Sequence, residues 1–310
     1  MGPVRVEAPH DVVVIGAGAA GVSAAIECFD IQLDVVVLEA AGRVGGQIEQ
    51  IPHAVRNVAP GPEGNEALVA ALGRHASILG DRLRLDQTVT RVDLAAGLVD
   101  AGSRRYRARS VLVATGSRRR ELDDAPEGSF GGDVTYLVEP HLARFAGLPM
   151  AVLGGGDSAA LDALALAEAG SAVTLVHRSP DLTTRRDLAE RVRSEGRITE
   201  MGGWALEGLV GSDNLQAIDV WNPSSGEHRR LDVRGVVLKL GREKAVDLVR
   251  GQLDLGDHGG IAVDAELRTS DPRTFAAGDV VEGAYERIAT AVGQGSLVAR
   301  SILHCLESGR

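Results

Sequence analysis

The chain has 310 residues, 44% of them hydrophobic and 25% charged, which suits two domains with a core each. Thirty-three Lys and Arg against 43 Asp and Glu give a net charge of −10, which excludes a generally basic nucleic-acid-binding surface and any strong pull towards anionic membranes. With 39 Gly, 11 Pro, 3% aromatic residues and neither repeats nor polar tracts, the glycines serve turns and close approaches, and aliphatic side chains fill the core.

The opening MGPVRVEAPH carries no apolar leader or myristoylation signal, and no run of about 18 uncharged apolar residues follows, so a soluble, cytoplasmic, unprocessed protein is expected. The first element, DVVVIG at 11–16, is a short β-branched run suited to a strand buried on both faces. GAGAAG and the helix-like GVSAAIECF come next. Gly16, Gly18 and Gly21 have the GxGxxG spacing: the first permits a tight turn, the second lets backbone amides reach a pyrophosphate, and the third allows close helix packing, helped by the small Ala20. A second strand, DVVVLE at 34–39, ends on Glu39, whose carboxylate suits adenosine ribose hydroxyls.

Further on, RSVLVATGS at 109–117 reads as a strand emptying into a turn. The opening pattern then recurs: a strand at 150–153, Gly154, Gly156 and Ala159 in GxGxxA spacing, a helix, and a strand ending at His177-Arg178. No acid ends this strand. His177, Arg178, Arg185 and Arg186 suit a 2′-phosphate, or else form a solvated basic face. One site for a dinucleotide with free ribose hydroxyls and one for a 2′-phosphorylated dinucleotide fit FAD plus NADPH. Finally, RTFAAGDVVEGAYERIATAVGQGS at 273–296 reads as a strand, a Gly-Asp turn, a loop and a helix.

GAGAAG, GGQ at 45–47, ATG at 114–116, GGGDSA at 154–159, VTLVHR at 173–178 and FAAGD at 275–279 together resemble the thioredoxin-reductase-like flavoproteins over nearly the whole chain. The resemblance implies an α/β fold of two Rossmann-like three-layer domains. An FAD-binding domain at 1–118 and 244–310 would receive an inserted NAD(P)H-binding domain at 119–243, in a homodimer. It further implies that Gly16, Gly18, Ala20 and Glu39 hold the ADP part of FAD, that Gln47 and Asn57 lie along the flavin, and that Ala114, Thr115 and Gly116 also bind FAD. Gly278-Asp279 would bind the ribityl chain, and Arg287, Ile288 and Ala289 open a helix whose amides favour negative charge on the reduced flavin. Gly154, Gly156, Asp157, Ser158, Ala159, His177, Arg178 and Arg185 would take NADPH.

Thioredoxin reductases reduce a CxxC pair just before the second glycine-rich strand, and ungapped counting from Gly154 puts those positions at Leu137 and Pro140. The surrounding VTYLVEPHLARFAG keeps the family's Tyr136 and Phe145-x-Gly147. Cys28 and Cys305 form no disulfide framework or metal motif and read as small core or surface residues. His141 stands where the family has a proton-donating Asp, either as a proton donor or as an exposed loop residue. The chain is therefore similar to the cysteine-free ferredoxin or flavodoxin NADP reductases of this fold, whose helix opening ERIATAVGQG at 286–295 resembles. Arg118, Arg119 and Arg120 offer a patch for an acidic redox partner, or an exposed turn. An oxidase or tailoring enzyme acting on a small molecule, and a flavin- or nucleotide-binding protein without catalysis, remain alternatives.

Overall fold

The computed structural model describes residues 5–51, 55, 58 and 64–309. The chain opens with β1 (Arg5–Ile15), α1 (Ala19–Asp30) and β2 (Val35–Leu38). A 3-10 turn (Gly46–Gln50) and α2 (Asn65–Ala76) lead to β3 (Leu83–Arg84), β4 (Val89–Asp93), β5 (Leu98–Ala101), β6 (Arg104–Val113) and β7 (Ser117–Arg119). Next come the one-turn α3 (Ser129–Gly132), β8 (Val134–Thr135), α4 (Leu142–Phe145), β9 (Pro149–Leu153), α5 (Asp157–Glu168), β10 (Ala172–His177) and α6 (Arg186–Ser194). The chain continues through β11 (Ile198–Gly202), β12 (Ala205–Gly211), β13 (Leu215–Trp221), β14 (His228–Asp232) and β15 (Gly235–Leu238). It closes with β16 (Arg242–Lys244), β17 (Thr274–Ala276) and α7 (Ile288–Ser308). Two compact units result, Met1–Arg118 with Glu243–Arg310, and Arg119–Arg242.

In the first unit β1 lies between β2 and β6, all parallel, with β3 beyond β2. β17 takes the far half of β6 at Val111–Val113, while the antiparallel ribbon β4–β5 takes its near half at Arg104–Arg107. Alternation along the strands explains their unbroken apolar runs. Val12, Val14, Val35, Val37 and Leu112 pack in one cluster with residues of α1 and α7, while Val13, Ile15, Val36, Leu38 and Val113 face another with Val92, Val99 and Tyr106. Each strand is thus covered on both sides, giving the helix, sheet and ribbon layers of a Rossmann-like domain.

β1 starts earlier than its apolar run. Arg5–His10 pair with Arg104–Ala108 through a register shift between Val6 and Pro9, where an irregular ladder tolerates a residue without an N–H. This half of the strand is largely exposed and so carries no hydrophobic signal.

The second unit repeats the plan with a fully parallel sheet, β11-β10-β9-β15-β8. Val152, Val173, Leu175 and Val237 pack with Ala160 and Ala163 of α5 and Leu188 and Val192 of α6. On the other face Ala151, Leu153, Val176, Val236 and Leu238 pack on Leu215, Ile218 and Val220 of the antiparallel sheet β12-β13-β14. Among the described residues no helix is long and apolar enough to cross a membrane.

Candidate functional site

The first glycine turn joins β1 to α1. Gly16 has φ +103°, its N–H donates to the Leu38 carbonyl (2.8 Å), and a Cβ there would stand 2.5 Å from the Ala114 carbonyl oxygen. A Cβ on Gly21 would run into the Gly16 carbonyl. Gly18, the N-cap of α1, would meet nothing within 4 Å. The outer glycines therefore close the turn against protein, while the middle one faces open space beside the unsatisfied amides of a helix N-terminus. Glu39 clamps this turn to the end of β2, its carboxylate accepting the N–H groups of Ala17 (2.6 Å) and Ala41 (2.8 Å). Ala20 is buried and belongs to the contact between α1 and α7, where a Cβ on Gly295 would lie 2.5 Å from its carbonyl oxygen.

A second group of residues assembles beyond the turn. Gln47 Nε2 donates to Asp279 Oδ2 (3.1 Å), and a Cβ on Gly116 would lie 3.0 Å from the same Nε2. Ala114 is buried, Thr115 donates its hydroxyl to the Ala245 carbonyl (2.7 Å), and the Gly278 N–H donates to Gln294 Oε1 of α7 (2.7 Å). Residues far apart in sequence thus meet at the head of α7. Arg287 is its N-cap and rests its guanidinium over the Tyr285 ring at 4.5 Å, with Ile288 and Ala289 in the first turn. Asn57 lies outside the described residues.

The second glycine turn repeats the geometry of the first. Gly154 has φ +144° and a Cβ there would lie 2.6 Å from the Lys239 carbonyl oxygen, while Gly156, the N-cap of α5, faces open space. Ala159 is buried and packs under the turn; Ser158 is exposed in the first turn of α5. Asp157 accepts the Thr184 hydroxyl (2.6 Å) and the Arg185 N–H (3.0 Å), and the Gly155 carbonyl accepts the Thr183 N–H (2.8 Å). These bonds pin the basic loop before α6 over the glycines. Arg185 pairs with Asp187 (3.1 Å), and Arg178 is exposed.

The sequence puts His177 among the cations for a 2′-phosphate, but the structure turns its ring inward. Its side chain is 2% exposed, with Nδ1 2.8 Å from the Ser179 carbonyl and Nε2 3.2 Å from Glu200 Oε1, so it fastens the end of β10 to β11. Arg178, the next residue, lies past the end of β10 and is exposed. The basic triplet is altered too. Arg118 pairs with Glu243 (2.6 Å) and Asp247, and Arg119 pairs with Glu121 (2.7 Å) and stacks on Tyr136 at 4.6 Å, so most of the patch is neutralised locally.

Sequence reasoning misses one buried ion pair altogether. Lys239, at the end of β15, places Nζ 2.7 Å from Asp162 Oδ2 on α5 and donates to the Tyr136 carbonyl (2.7 Å), with side chains 14% and 4% exposed. Burial pushes the Asp162 carboxyl up to about 6 even though the Lys239 ammonium pulls the other way. The one available signal is composition: Lys239 and Lys244 are the only two lysines in the chain.

The segment 134–147 is held by buried side chains. Tyr136 is buried, its hydroxyl accepting the Leu122 N–H (2.8 Å) and donating to the Ala125 carbonyl (3.1 Å); Val138 and Phe145 are buried as well. Leu137 is half-buried, and Pro140 lies in the 3-10 turn Glu139–His141. His141 is 35% exposed, 3.8 Å from Glu127 and 6.0 Å from the Phe145 ring. Neither cysteine is in a disulfide. Cys28 on α1 and Cys305 on α7 are buried in one apolar cluster; burial, with Glu27 adding to it, pushes the Cys28 thiol up to about 12.

A family model described as pyridine nucleotide-disulphide oxidoreductase matches residues 10–295. The chain belongs to this family. Relatives include a thioredoxin reductase of Streptomyces coelicolor, 31% identical over 301 residues, covering 94% of this chain and 92% of the relative. Another is a 34.2 kDa protein in the rubredoxin operon of Clostridium pasteurianum, 27% identical over 93% of this chain and 94% of its own. Among solved structures, the Lactococcus lactis thioredoxin reductase in its FR conformation matches with a TM-score of 0.84 at 26% identity, covering 96% and 99% of the two chains. The T. acidophilum thioredoxin reductase matches at 0.81, also 26% identical, covering 98% and 100%.

Thioredoxin-reductase-like members of the family bind FAD and use NADPH. The residues present here fit those groups, since each unit carries a glycine turn whose middle residue faces open space at a helix N-terminus.

Proposed function

We propose that this chain is an FAD-dependent NADPH oxidoreductase that works without an internal redox disulfide and passes electrons to an acceptor outside the chain. The observation that carries this reading is the segment around Tyr136. Ungapped counting from Gly154 puts Leu137 and Pro140 at the dithiol positions, the buried Tyr136 and Phe145 hold the segment, and the two cysteines are buried elsewhere with the Cys28 thiol pushed to about 12. No residue of that segment can form a thiolate.

In this reading the amides beside Gly18 receive a pyrophosphate, Glu39 holds the turn and meets the adenosine ribose, and Asp279, oriented by Gln47, holds the ribityl chain. The α7 amides favour negative charge at the flavin's pyrimidine end. In the second unit Gly156 and the first turn of α5 receive the NADPH pyrophosphate, and Arg178 with Arg185 meets the 2′-phosphate. Bound FAD supplies the exchange between two-electron transfer from NADPH and the acceptor's own chemistry. A small redox protein suits the acceptor role, and the relative named for a rubredoxin operon supports that class.

The test compares acceptors. With NADPH as donor, the purified holoenzyme should reduce ferricyanide rapidly, yet reduce thioredoxin and an aromatic disulfide no faster than free reduced flavin does. Robust thioredoxin reduction would overturn the reading.

A further inference from the structure

Only two of the 33 basic side chains are lysines, and both pair with carboxylates, Lys239 with the buried Asp162 and Lys244 with Glu286, which is itself 38% exposed. Lys244 is the one in the first unit. Its side chain is 13% exposed, and Nζ donates to Glu286 Oε1 at 2.7 Å.

The surroundings fix where this charge sits. Ala245, the next residue, donates its N–H to the Gly116 carbonyl (3.0 Å), and its own carbonyl accepts the Thr115 hydroxyl (2.7 Å). The lysine backbone is therefore tied to the 114–116 turn. Glu286 immediately precedes Arg287, the N-cap of α7. The ion pair links the same two elements that gather around Gln47 and Asp279.

Resting on the assignment of flavin to this unit, we propose that the Lys244–Glu286 pair sets the reduction potential of the bound flavin. A reduced flavin gains negative charge at its pyrimidine end. The Lys244 ammonium, mostly shielded from solvent at 13% exposure, stabilises that charge in the same sense as the α7 amides. Glu286 holds the ammonium in place and opposes part of its field. The two side chains of one ion pair therefore have opposite effects, a signature that loss of packing does not share.

The measurement is the midpoint potential of the holoenzyme's flavin, read by reductive titration against a reference dye, with no substrate turnover involved. Lys244→Met should disfavour the reduced form about tenfold, a drop of about 30 mV for a two-electron couple. Glu286→Gln should favour it by a similar factor and raise the potential. Lys244→Arg, which keeps the charge, should stay within about threefold of the wild type. Shifts of the same sign in the Met and Gln variants, or changes below about twofold in both, would overturn the proposal while leaving the flavin assignment standing. A wild-type protein that neither carries nor takes up FAD removes both. If Lys244→Met fails to retain flavin, Glu286→Gln decides alone, and an unchanged or lowered potential overturns the proposal.

Discussion

A side chain at Gly18 would meet nothing within 4 Å, while one at Gly21 would strike the Gly16 carbonyl, so two glycines of one motif should fail in different ways. Gly18→Val should fold normally and lose flavin, because the new side chain occupies the space into which backbone amides point. Absorbance at the flavin band per folded chain checks this, and retention of full flavin contradicts it. Gly21→Val should be overpacked, losing about 1–3 kcal/mol or more of stability before any question of flavin arises. In the second unit, Arg178→Ala should raise the KM for NADPH about tenfold to a hundredfold, the worth of one charge-assisted contact of about 1.5–3 kcal/mol, and leave the KM for NADH nearly unchanged. Steady-state kinetics with both nucleotides check it; equal effects on the two would move the phosphate contact to Arg185 or Arg186.

Asp162 gives a pH-dependent prediction at the same scale. Its carboxyl holds a proton up to about pH 6 in the folded chain but releases it near its ordinary value of 3.8 when unfolded, so its contribution to stability falls as pH rises through that window, by ~3 kcal/mol. Lys239→Met removes the partner that makes the ionised form tolerable. Its destabilisation, measured by urea unfolding, should therefore be small at pH 5, where Asp162 is already neutral, and about 3 kcal/mol at pH 8, where a lone buried carboxylate must take up a proton. A destabilisation that is already large at pH 5 would mean that Asp162 is ionised there.

At the scale of elements, the contact between α1 and α7 carries the first glycine turn. Gly295 approaches so closely that a Cβ would lie 2.5 Å from the Ala20 carbonyl oxygen and 2.7 Å from the Ser23 Cβ, and Ser23 donates its hydroxyl to the Val292 carbonyl (2.9 Å). Gly295→Leu should push the helices apart, and flavin content and thermal stability should fall together. Cys28 and Cys305 lie in the same layer, so Cys28→Ser with Cys305→Ser costs stability through a buried hydroxyl. Once folded, that double variant should keep flavin reduction by NADPH within about twofold, because neither thiol lies on the electron path.

The elements legible in the sequence are those whose signal is local. The runs at Val12–Ile15 and Met150–Leu153 are buried on both faces, and the glycines after them are fixed by positive φ at Gly16 and Gly154 and by closure at the third position. The ribbon β4–β5 and the sheet β12-β13-β14 are half-exposed and alternate polar with apolar residues, so they give only weak runs. The direction of a side chain depends on partners far along the chain. His177 is turned inward by Glu200, Arg118 is neutralised by Glu243 and Asp247, and Lys239 meets Asp162 across the second unit's sheet and helix layers. No spacing rule within a motif encodes those meetings.

At the scale of the whole molecule, the proposed function turns on how many electrons the chain can store. Family relatives named thioredoxin reductase share its length and fold, yet Leu137 and Pro140 leave the segment before β9 without a thiol, and the cysteines it has are buried in the helix layer of the first unit. A flavin with an internal dithiol takes up four electrons; a flavin alone takes up two. Anaerobic titration of the holoenzyme with NADPH, following the flavin's visible absorbance, tests this most directly. The account predicts complete bleaching at about one NADPH per flavin, with no new thiol titratable in the native protein afterwards. Bleaching that requires about two NADPH per flavin and exposes two thiols would contradict it.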